Sequence, residues 1–268
     1  MFDQFNRDIT YLRVSVTDRC NLRCSYCMPP EGVKLKKNRE ILSYEEIVKI
    51  VQEAAKLRIS KIRLTGGEPL IRKNICYLIR SIKFINGIQE ITLTTNGVLL
   101  AQMAQELREA GLDRINISLD TLSPKKYREI TRGGDIKKVF EGIDAVIEAG
   151  FDKTKLNMVI IPGFNKRCVE KMVAFCLEKR LVLQRINHYS LSSQITNNQE
   201  YKAERPLPCS ECNRIRLTSD GKLKPCLFSN KEYPVNLEDI ASSVKKAIIN
   251  KPKCGKYCTV RGIWEIGG

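Results

Sequence analysis

Along the chain, six short runs rich in Ile, Leu and Val alternate with longer amphipathic stretches. Residues 9–16, 61–65, 90–94, 114–119, 155–161 and 181–186 have the length and β-branched content of strands. Between them, apolar residues recur at helical spacing over 43–57, 71–83, 99–110, 136–150 and 165–179. Ser43 followed three residues later by Glu46 is a capping box, and Gly150 is a natural helix stop. Strand and helix alternating over short connections predict parallel βα units, closed as a barrel or left as an open sheet.

Around residue 190 the pattern stops. The stretch SLSSQITNNQEYKAERPLP is polar with two prolines and reads as a linker or surface excursion. Residues 209–268 are rich in cysteine and short of periodic structure, apart from a helix expected at 237–249. The expected division is therefore 1–190 for the α/β unit and 191–268 for a smaller C-terminal domain. The conspicuous motifs fall where strands end: TDRCNLRCSYC after the first, GGEP after the second, TNG after the third. Strand ends form the reactive face of βα barrels and the ligand crevice of open sheets.

Composition narrows the classes. The chain has 268 residues, 43% of them hydrophobic and 28% charged, enough for a buried core and too apolar for a disordered chain. The first residues, MFDQFNRDITYLRV, lack the apolar core of a signal peptide, and no run of about 18 apolar residues exists. A soluble, cytoplasmic protein without a membrane partner is expected. The net charge of +16 comes without a block of basic residues or basic–aromatic interleaving, so no nucleic-acid partner is expected. Most of these charges read as a solvated surface, and a few beside the motifs read as phosphate contacts.

Eleven cysteines against a single histidine change the picture more. Cytosolic thiols stay reduced, so their spacing points to thiolate metal sites, with His188 read as a packing residue. Cys20, Cys24 and Cys27 sit within eight residues. Three thiolates hold three irons of a [4Fe–4S] cube and leave the fourth iron open, as catalytic zinc sites keep one open position. A structural site completed by a distant fourth cysteine is the alternative. Cys76, Cys168 and Cys176 fall in expected helices and read as small core residues.

C-x3-C-x-Y-C followed by a strand ending in Gly66-Gly67-Glu68-Pro69 resembles the radical S-adenosylmethionine (SAM) superfamily. The resemblance implies a partial (β/α)6 TIM-type barrel with a small cysteine-rich iron–sulfur domain at its C-terminus. It implies that SAM chelates the open iron and is split to a 5′-deoxyadenosyl radical. Gly67 in the GGEP turn, Tyr26 and Ser118 then match SAM-binding positions. The longer set LRVSVTDRCNLRCSYCMP, KIRLTGGEPL, TTNG, SLD, KLN, CSECNRIRLTSDGKLKPCLF and the terminal Ile266-Gly267-Gly268 is similar to the GTP 3′,8-cyclase family, which opens molybdenum cofactor biosynthesis.

That similarity implies a second [4Fe–4S] cluster on Cys209, Cys212 and Cys226, whose open iron binds the guanine ring of GTP. Arg13, Lys61, Arg63, Thr94, Lys155, Arg214 and Arg216 match positions that contact GTP. Several fixed cations suit a triphosphate, and an arginine fork suits its oxyanions. The implied reaction takes hydrogen from C3′ of the ribose and joins C3′ to C8 of guanine. A flavodoxin- or ferredoxin-like electron donor and a downstream cyclic pyranopterin monophosphate synthase are the implied partners, and the Gly-Gly tail reaches into the active site.

Departures from the family pattern are specific. The segment before Cys209 is shorter than in most members. The SAM-contacting methionine after the sixth strand is replaced, with Tyr189 as the substitute, and the arginine before it by Gln184 beside Arg185. Cys254 and Cys258 are additional. The expectation is that the second cluster keeps its open iron and that these two cysteines stiffen the C-terminal domain. A radical SAM peptide- or protein-modifying enzyme with an auxiliary cluster is the rival enzyme, and such an enzyme has no need of the phosphate-matching cations. The blander alternatives are a strand-end residue for Thr94, a helix cap for Asp120 in SLD and an ordinary basic strand for CNRIR, each set against a place in the site.

Overall fold

The computed structural model describes residues 1–188, 190–191 and 208–267. Tyr189, Gly268 and the polar segment 192–207 lie outside the described residues, and with them the reading of Tyr189 as a SAM contact. The strands are β1 Tyr11–Ser15, β2 Lys61–Thr65, β3 Glu90–Thr95, β4 Arg114–Ser118, β5 Lys155–Ile160, β6 Val182–Asn187, β7 Arg214–Leu217, β8 Lys222–Lys224 and β9 Tyr233–Pro234. The α-helices are α1 Tyr44–Lys56, α2 Ile75–Lys83, α3 Leu100–Glu109, α4 Pro124–Thr131, α5 Ile136–Glu148, α6 Val169–Glu178, α7 Ile240–Ile249 and α8 Ile263–Ile266.

Among the described residues, the nine strands belong to one sheet in the order β6-β5-β4-β3-β2-β1-β7-β8-β9. β1 to β6 pair in parallel in sequence order, as six βα units require. The sheet stays open, with β6 and β9 at its edges, so the six parallel strands form part of a barrel and do not close one. CNRIR resolves into a strand: β7 pairs in parallel with β1, Arg214 opposite Tyr11 and Arg216 opposite Arg13. The cysteine-rich C-terminal segment is thereby stitched to the first strand of the chain. β8 and β9 then turn back antiparallel.

Period two explains which face is which. Leu12, Val14, Ile62, Leu64, Ile91, Leu93, Ile115, Ile117, Leu156 and Met158 point to the helix layer and are fully shielded or nearly so. Each such side chain contributes about 1.5–3 kcal/mol of burial, which fixes the register firmly, because a one-residue slip would turn the whole set over. Cys76 in α2 and Cys176 in α6 are buried in this layer, and Cys168 packs half-buried against it.

The Ser43 capping box forms as its sequence predicts, with Ser43 Oγ accepting from Glu46 N and Glu46 Oε2 accepting from Ser43 N. Helix α4 has no counterpart in the periodic reading. Ser123 caps it and Pro124 starts it, but its eight residues carry a mostly polar face that hides the period. Among the described residues, no helix is long and apolar enough to cross a membrane.

Candidate active site

The same alternation puts a polar set on the opposite, concave face. Arg63, Arg13 and Arg216 stand opposite one another on β2, β1 and β7. Neighbouring strands lie about 4.8 Å apart, so the three form a continuous row. One step lower, Lys61, Tyr11 and Arg214 form a second row. Arg13 and Arg216 are each only 6% exposed. Burial, together with Arg216, Arg63 and Arg214, presses the pKa of Arg13 well down. Like charges gathered in one row repel one another, which favours an anion bound beside them. The acid at this end, Glu90, is already engaged by Arg114 at 2.8 Å and Lys61 at 3.6 Å.

Lys61 is exposed at the N-terminal edge of β2, away from the arginine row. Arg63 is fixed by Nε donating to Thr92 Oγ1 at 3.1 Å and by the Tyr11 ring 5.5 Å away. Lys155 begins β5, opposite Asn116. Gln184 lies opposite Asn157, in line with the concave set, whereas Arg185 lies opposite buried Met158.

Above the arginines, at the C-terminal strand ends, one cavity collects Cys20, Cys24, Cys27, Tyr26, Gly67, Thr94 and Ser118. These positions span some hundred residues of sequence and meet only because parallel strands all end on one side. The GGEP turn is locked by its acid: Glu68, 1% exposed, accepts from Leu70 N (3.0 Å), Thr95 Oγ1 (2.8 Å) and Asn96 N (2.7 Å). Burial raises the Glu68 carboxyl to about 7. Asp120 is not a helix cap. Its Oδ2 accepts from Tyr26 Oη at 2.9 Å and its Oδ1 from Val159 N at 2.8 Å, so it ties the cysteine loop to β5. Burial raises Asp120 to about 6.

The thiols of this loop lie in a proton-holding environment. Burial pushes Cys20 up to about 11 and Cys27 up to about 12, and it raises Cys24 further, with Asp120 and the other two thiols adding to the effect. A group of cationic irons is what would make three such thiols ionise together. Among the described residues, no three His, Cys, Asp or Glu side chains are arranged around a single metal ion. Cys20, Cys24 and Cys27 all line the one cavity, and three thiolates on one cavity suit an iron–sulfur cluster. Two buried oxygens in the same cavity, Thr94 Oγ1 and Asn157 Oδ1, have no hydrogen-bond partner and are left for a polar ligand. The residues present fit a cluster with a SAM-sized polar molecule beside it.

Asn157 carries no signal of its own in the sequence, although it is the last residue of the quoted KLN. His188, read as a packing residue, is instead exposed at this cavity.

The tail closes the site. Gly267 lines the cavity, and its carbonyl accepts from Arg216 Nη1 at 2.8 Å. A Cβ at Gly267 would fall 2.1 Å from Thr65 Oγ1, and its φ is +65°, so only glycine passes here. Helix α8 is held in place by Arg261, which donates to Glu265, Asp220 and Glu232, with Lys36 joining Glu265 at 3.1 Å.

The second cysteine set lies at the other end of the strands. Cys209 and Cys212 precede β7, whereas Cys20–Cys27 follow the parallel strand β1. The five residues of β1 span roughly 17 Å. Buried Lys251 donates to Arg214 O (2.7 Å) and Pro225 O (2.8 Å), joining the two chain segments that carry Cys212 and Cys226. Although burial opposes it, Lys251 and Arg214 together lower the Cys212 thiol to about 7. Three thiols gathered beside fixed cations fit a second anionic cluster. The two additional cysteines part company: Cys254 Sγ lies 3.1 Å from Cys209 Sγ, while Cys258 is buried in a small apolar cluster with Leu191, Phe228 and Ile266.

The family comparisons agree with this geometry. Residues 14–176 match the model of the radical SAM superfamily, and residues 184–253 match that described as Molybdenum Cofactor Synthesis C. The fold is shared with Streptococcus suis SuiB bound to S-adenosylmethionine (TM-score 0.67, 17% identity, 89% of this chain and 65% of that one). It is shared also with native anSMEcpe with bound AdoMet (TM-score 0.66, 17% identity, 91% and 81%). At that identity the likeness shows the fold alone. The chain belongs to the radical SAM superfamily.

Within the superfamily the assignment is narrower. The GTP 3′,8-cyclase of Alkaliphilus oremlandii is 40% identical over the whole of both chains, and that of Petrotoga mobilis 40% identical over 94% of each. The GTP 3′,8-cyclase of Clostridium botulinum is 41% identical over 94% of this chain and 93% of its own. This chain is a member of the GTP 3′,8-cyclase family. The Alkaliphilus alignment runs over 320 positions against 268 residues here, so that relative carries residues without a counterpart in this chain.

Proposed function

We propose that the chain converts GTP to (8S)-3′,8-cyclo-7,8-dihydroguanosine 5′-triphosphate in the first step of molybdenum cofactor biosynthesis. The observation that carries this reading is the row Arg63–Arg13–Arg216, with Arg13 and Arg216 buried and Arg63 half-buried, between two three-cysteine sites. A peptide substrate gives no reason to crowd guanidiniums there; a triphosphate does. In this reading residues 1–190 hold SAM and the first [4Fe–4S] cluster on Cys20, Cys24 and Cys27. Residues 191–268 hold the second on Cys209, Cys212 and Cys226.

When bound, the first cluster and SAM supply one-electron hydrogen abstraction from the ribose. The chain's own groups set the geometry. Arg13, Arg63 and Arg216 bind the triphosphate, with Arg214 one step below them, exposed Lys61 at the rim and Lys155 farther along the sheet on β5. Thr94 Oγ1 and Asn157 Oδ1 offer unspent hydrogen-bonding capacity to the nucleoside and SAM, next to Ser118 and Gly67. Asp120 holds the Tyr26 ring against SAM through its hydroxyl. Arg216 also draws Gly267 over the site, so nucleotide binding and tail closure share one side chain. A closed tail excludes water from a reactive radical. A flavodoxin- or ferredoxin-like protein supplies the electron, and a net charge of +16 steers such acidic donors to the surface. The product passes to a cyclic pyranopterin monophosphate synthase.

The test is anaerobic incubation of reconstituted protein with SAM, a reductant and GTP, read by mass spectrometry. Formation of a GTP isomer, together with 5′-deoxyadenosine, is expected. SAM cleavage stimulated by a peptide and not by GTP would overturn the reading.

A further inference from the structure

Cys254 belongs to neither the family's first nor its second cysteine set, yet it sits at the second site. Its Sγ lies 3.1 Å from Cys209 Sγ, well beyond the 2.05 Å or so of a disulfide. The neighbouring backbone passes just as close to another ligand, since a Cβ on Gly255 would lie 2.5 Å from Cys226 Sγ. Only glycine lets the chain cross there. Cys258 does not share this position. It is 1% exposed, its nearest polar partner is Lys224 Nζ at 3.7 Å, and its backbone N donates to Leu191 O.

The approach of Cys254 to Cys209 is built rather than incidental. Arg7 donates through Nη1 to Cys209 O (2.8 Å) and Lys253 O (3.1 Å), and through Nη2 to Pro252 O (2.8 Å). Its own guanidinium is held by Asp3, with Nε donating to Asp3 Oδ2 at 2.7 Å. Arg7 is 8% exposed and Asp3 7% exposed, so one buried ion pair clamps the backbone before Cys254 onto the backbone of Cys209. Lys256 N donates to Phe228 O at 2.9 Å and pins the far side of the segment. Between these two fixed points Cys254 itself is exposed, and its side chain is free to change rotamer. Arg7, Lys251 and Arg214 surround the set with positive charge, which offsets the addition of a fourth thiolate.

We propose that Cys254 is the fourth thiolate of the second cluster in the nucleotide-free protein, and that guanine displaces it. The first half rests on the second cluster alone; the second half rests also on the reading that GTP binds there. The exchange is a ligand substitution: the iron–Sγ bond of Cys254 breaks, a bond from iron to guanine forms, and the released thiolate takes a proton from water. No electron changes hands. The rotation of one exposed side chain opens the iron, while Cys209 stays clamped by Arg7. A capped iron is also protected from oxidative loss while no substrate is bound.

The experiment is a brief anaerobic maleimide pulse followed by peptide mapping by mass spectrometry. It uses three samples: reduced metal-free protein, reconstituted protein, and reconstituted protein with GTP. Cys254 should be labelled readily in the first, about tenfold or more slowly in the second, and readily again in the third. Equal labelling in the metal-free and reconstituted samples overturns the proposal. Protection that GTP does not lift upholds the fourth ligand and overturns the displacement; the product assay reads the cyclase reading separately.

A second measurement does not depend on nucleotide. In a Cys20→Ala, Cys24→Ala, Cys27→Ala background, mild oxidation should leave about four irons with Cys254 present and about three after Cys254→Ser. Equal iron loss from both overturns the ligand assignment.

Discussion

The two cysteine sites are built in opposite ways. The first is local in sequence: three thiols in eight residues, on the loop that leaves β1. Its surroundings hold protons, with buried Glu68 and Asp120 raised to about 7 and about 6 and Cys20 to about 11. The second is assembled from segments far apart in the chain, around Cys209, Cys226 and Cys254 and the Arg7 clamp. Fixed cations lie beside it: although burial opposes it, Lys251 and Arg214 lower the Cys212 thiol to about 7, while burial raises that of Cys226. The first site is desolvated and holds its thiols toward the neutral form, so they ionise together only against cationic iron. A cationic second site, continued by the arginine row, suits a triphosphate. The electrostatic division matches the chemical one.

The sharpest way to break this comparison is to delete each site in turn. Replacing Cys20, Cys24 and Cys27 with alanine should remove about half the iron and all SAM cleavage. Replacing Cys209, Cys212 and Cys226 should remove the other half and abolish product, while leaving SAM cleavage measurable and insensitive to GTP. Iron analysis and 5′-deoxyadenosine quantification check both. SAM cleavage that survives the first triple substitution would refute the assignment of the two sites.

A second expectation needs no cluster. In metal-free reduced protein near pH 7.5, Cys212 should be alkylated faster than Cys20 by about tenfold or more. The thiolate fraction differs by several powers of ten, and the lower nucleophilicity of the more acidic thiol returns part of that difference. Site-resolved alkylation kinetics measure it. Comparable rates would mean that the electrical contrast between the sites is absent.

The arginine row comes next in size. Arg216→Ala removes one charged contact to the triphosphate, worth roughly 1.5–3 kcal/mol, so GTP affinity should fall about tenfold or more. It also releases Gly267 O, so the uncoupled loss of radical to solvent should rise, seen as more 5′-deoxyadenosine per product. Lys61→Ala should cost far less, because Lys61 is exposed and paired with Glu90. Equal losses at the two positions would contradict the reading of the arginine row as the phosphate site.

These contrasts show what a sequence exposes and what it conceals. The βα alternation, the strand ends and the first cysteine loop are legible because each is encoded within a few residues. Residues 43–57 read as a helix and α1 runs from Tyr44 to Lys56, and 61–65 is β2 without change. Helix α4 escapes the periodic reading because its polar face masks the period. The placement of β7 beside β1 is hidden, since nothing in RIRL names its partner strand. The Arg7 clamp on Cys209 and Pro252–Lys253 joins positions some two hundred residues apart, and Asp120 on Tyr26 joins positions ninety-four apart. Both depend on topology, which spacing does not carry. For the same reason Cys254 and Cys258 form a pair in sequence and stand separate in space.

The smallest expected effect tests the Tyr26–Asp120 link, and its sign follows from the raised pKa of Asp120. A carboxyl near 6 in the folded state and near 3.9 unfolded holds its proton more tightly when folded. Its contribution to stability is therefore fully present below about pH 4 and is lost as pH rises through about 6. Tyr26 Oη donates to the carboxylate and so limits that loss. Tyr26→Phe should push Asp120 higher and extend the loss to higher pH. Denaturant unfolding of metal-free protein should then show a mutational penalty about 1 kcal/mol larger at pH 8 than at pH 4.5. Asp120→Asn should flatten the pH dependence, since no ionisable group is left at that position. A Tyr26→Phe penalty that does not change with pH would mean that the hydroxyl supports packing alone and does not hold the Asp120 carboxylate.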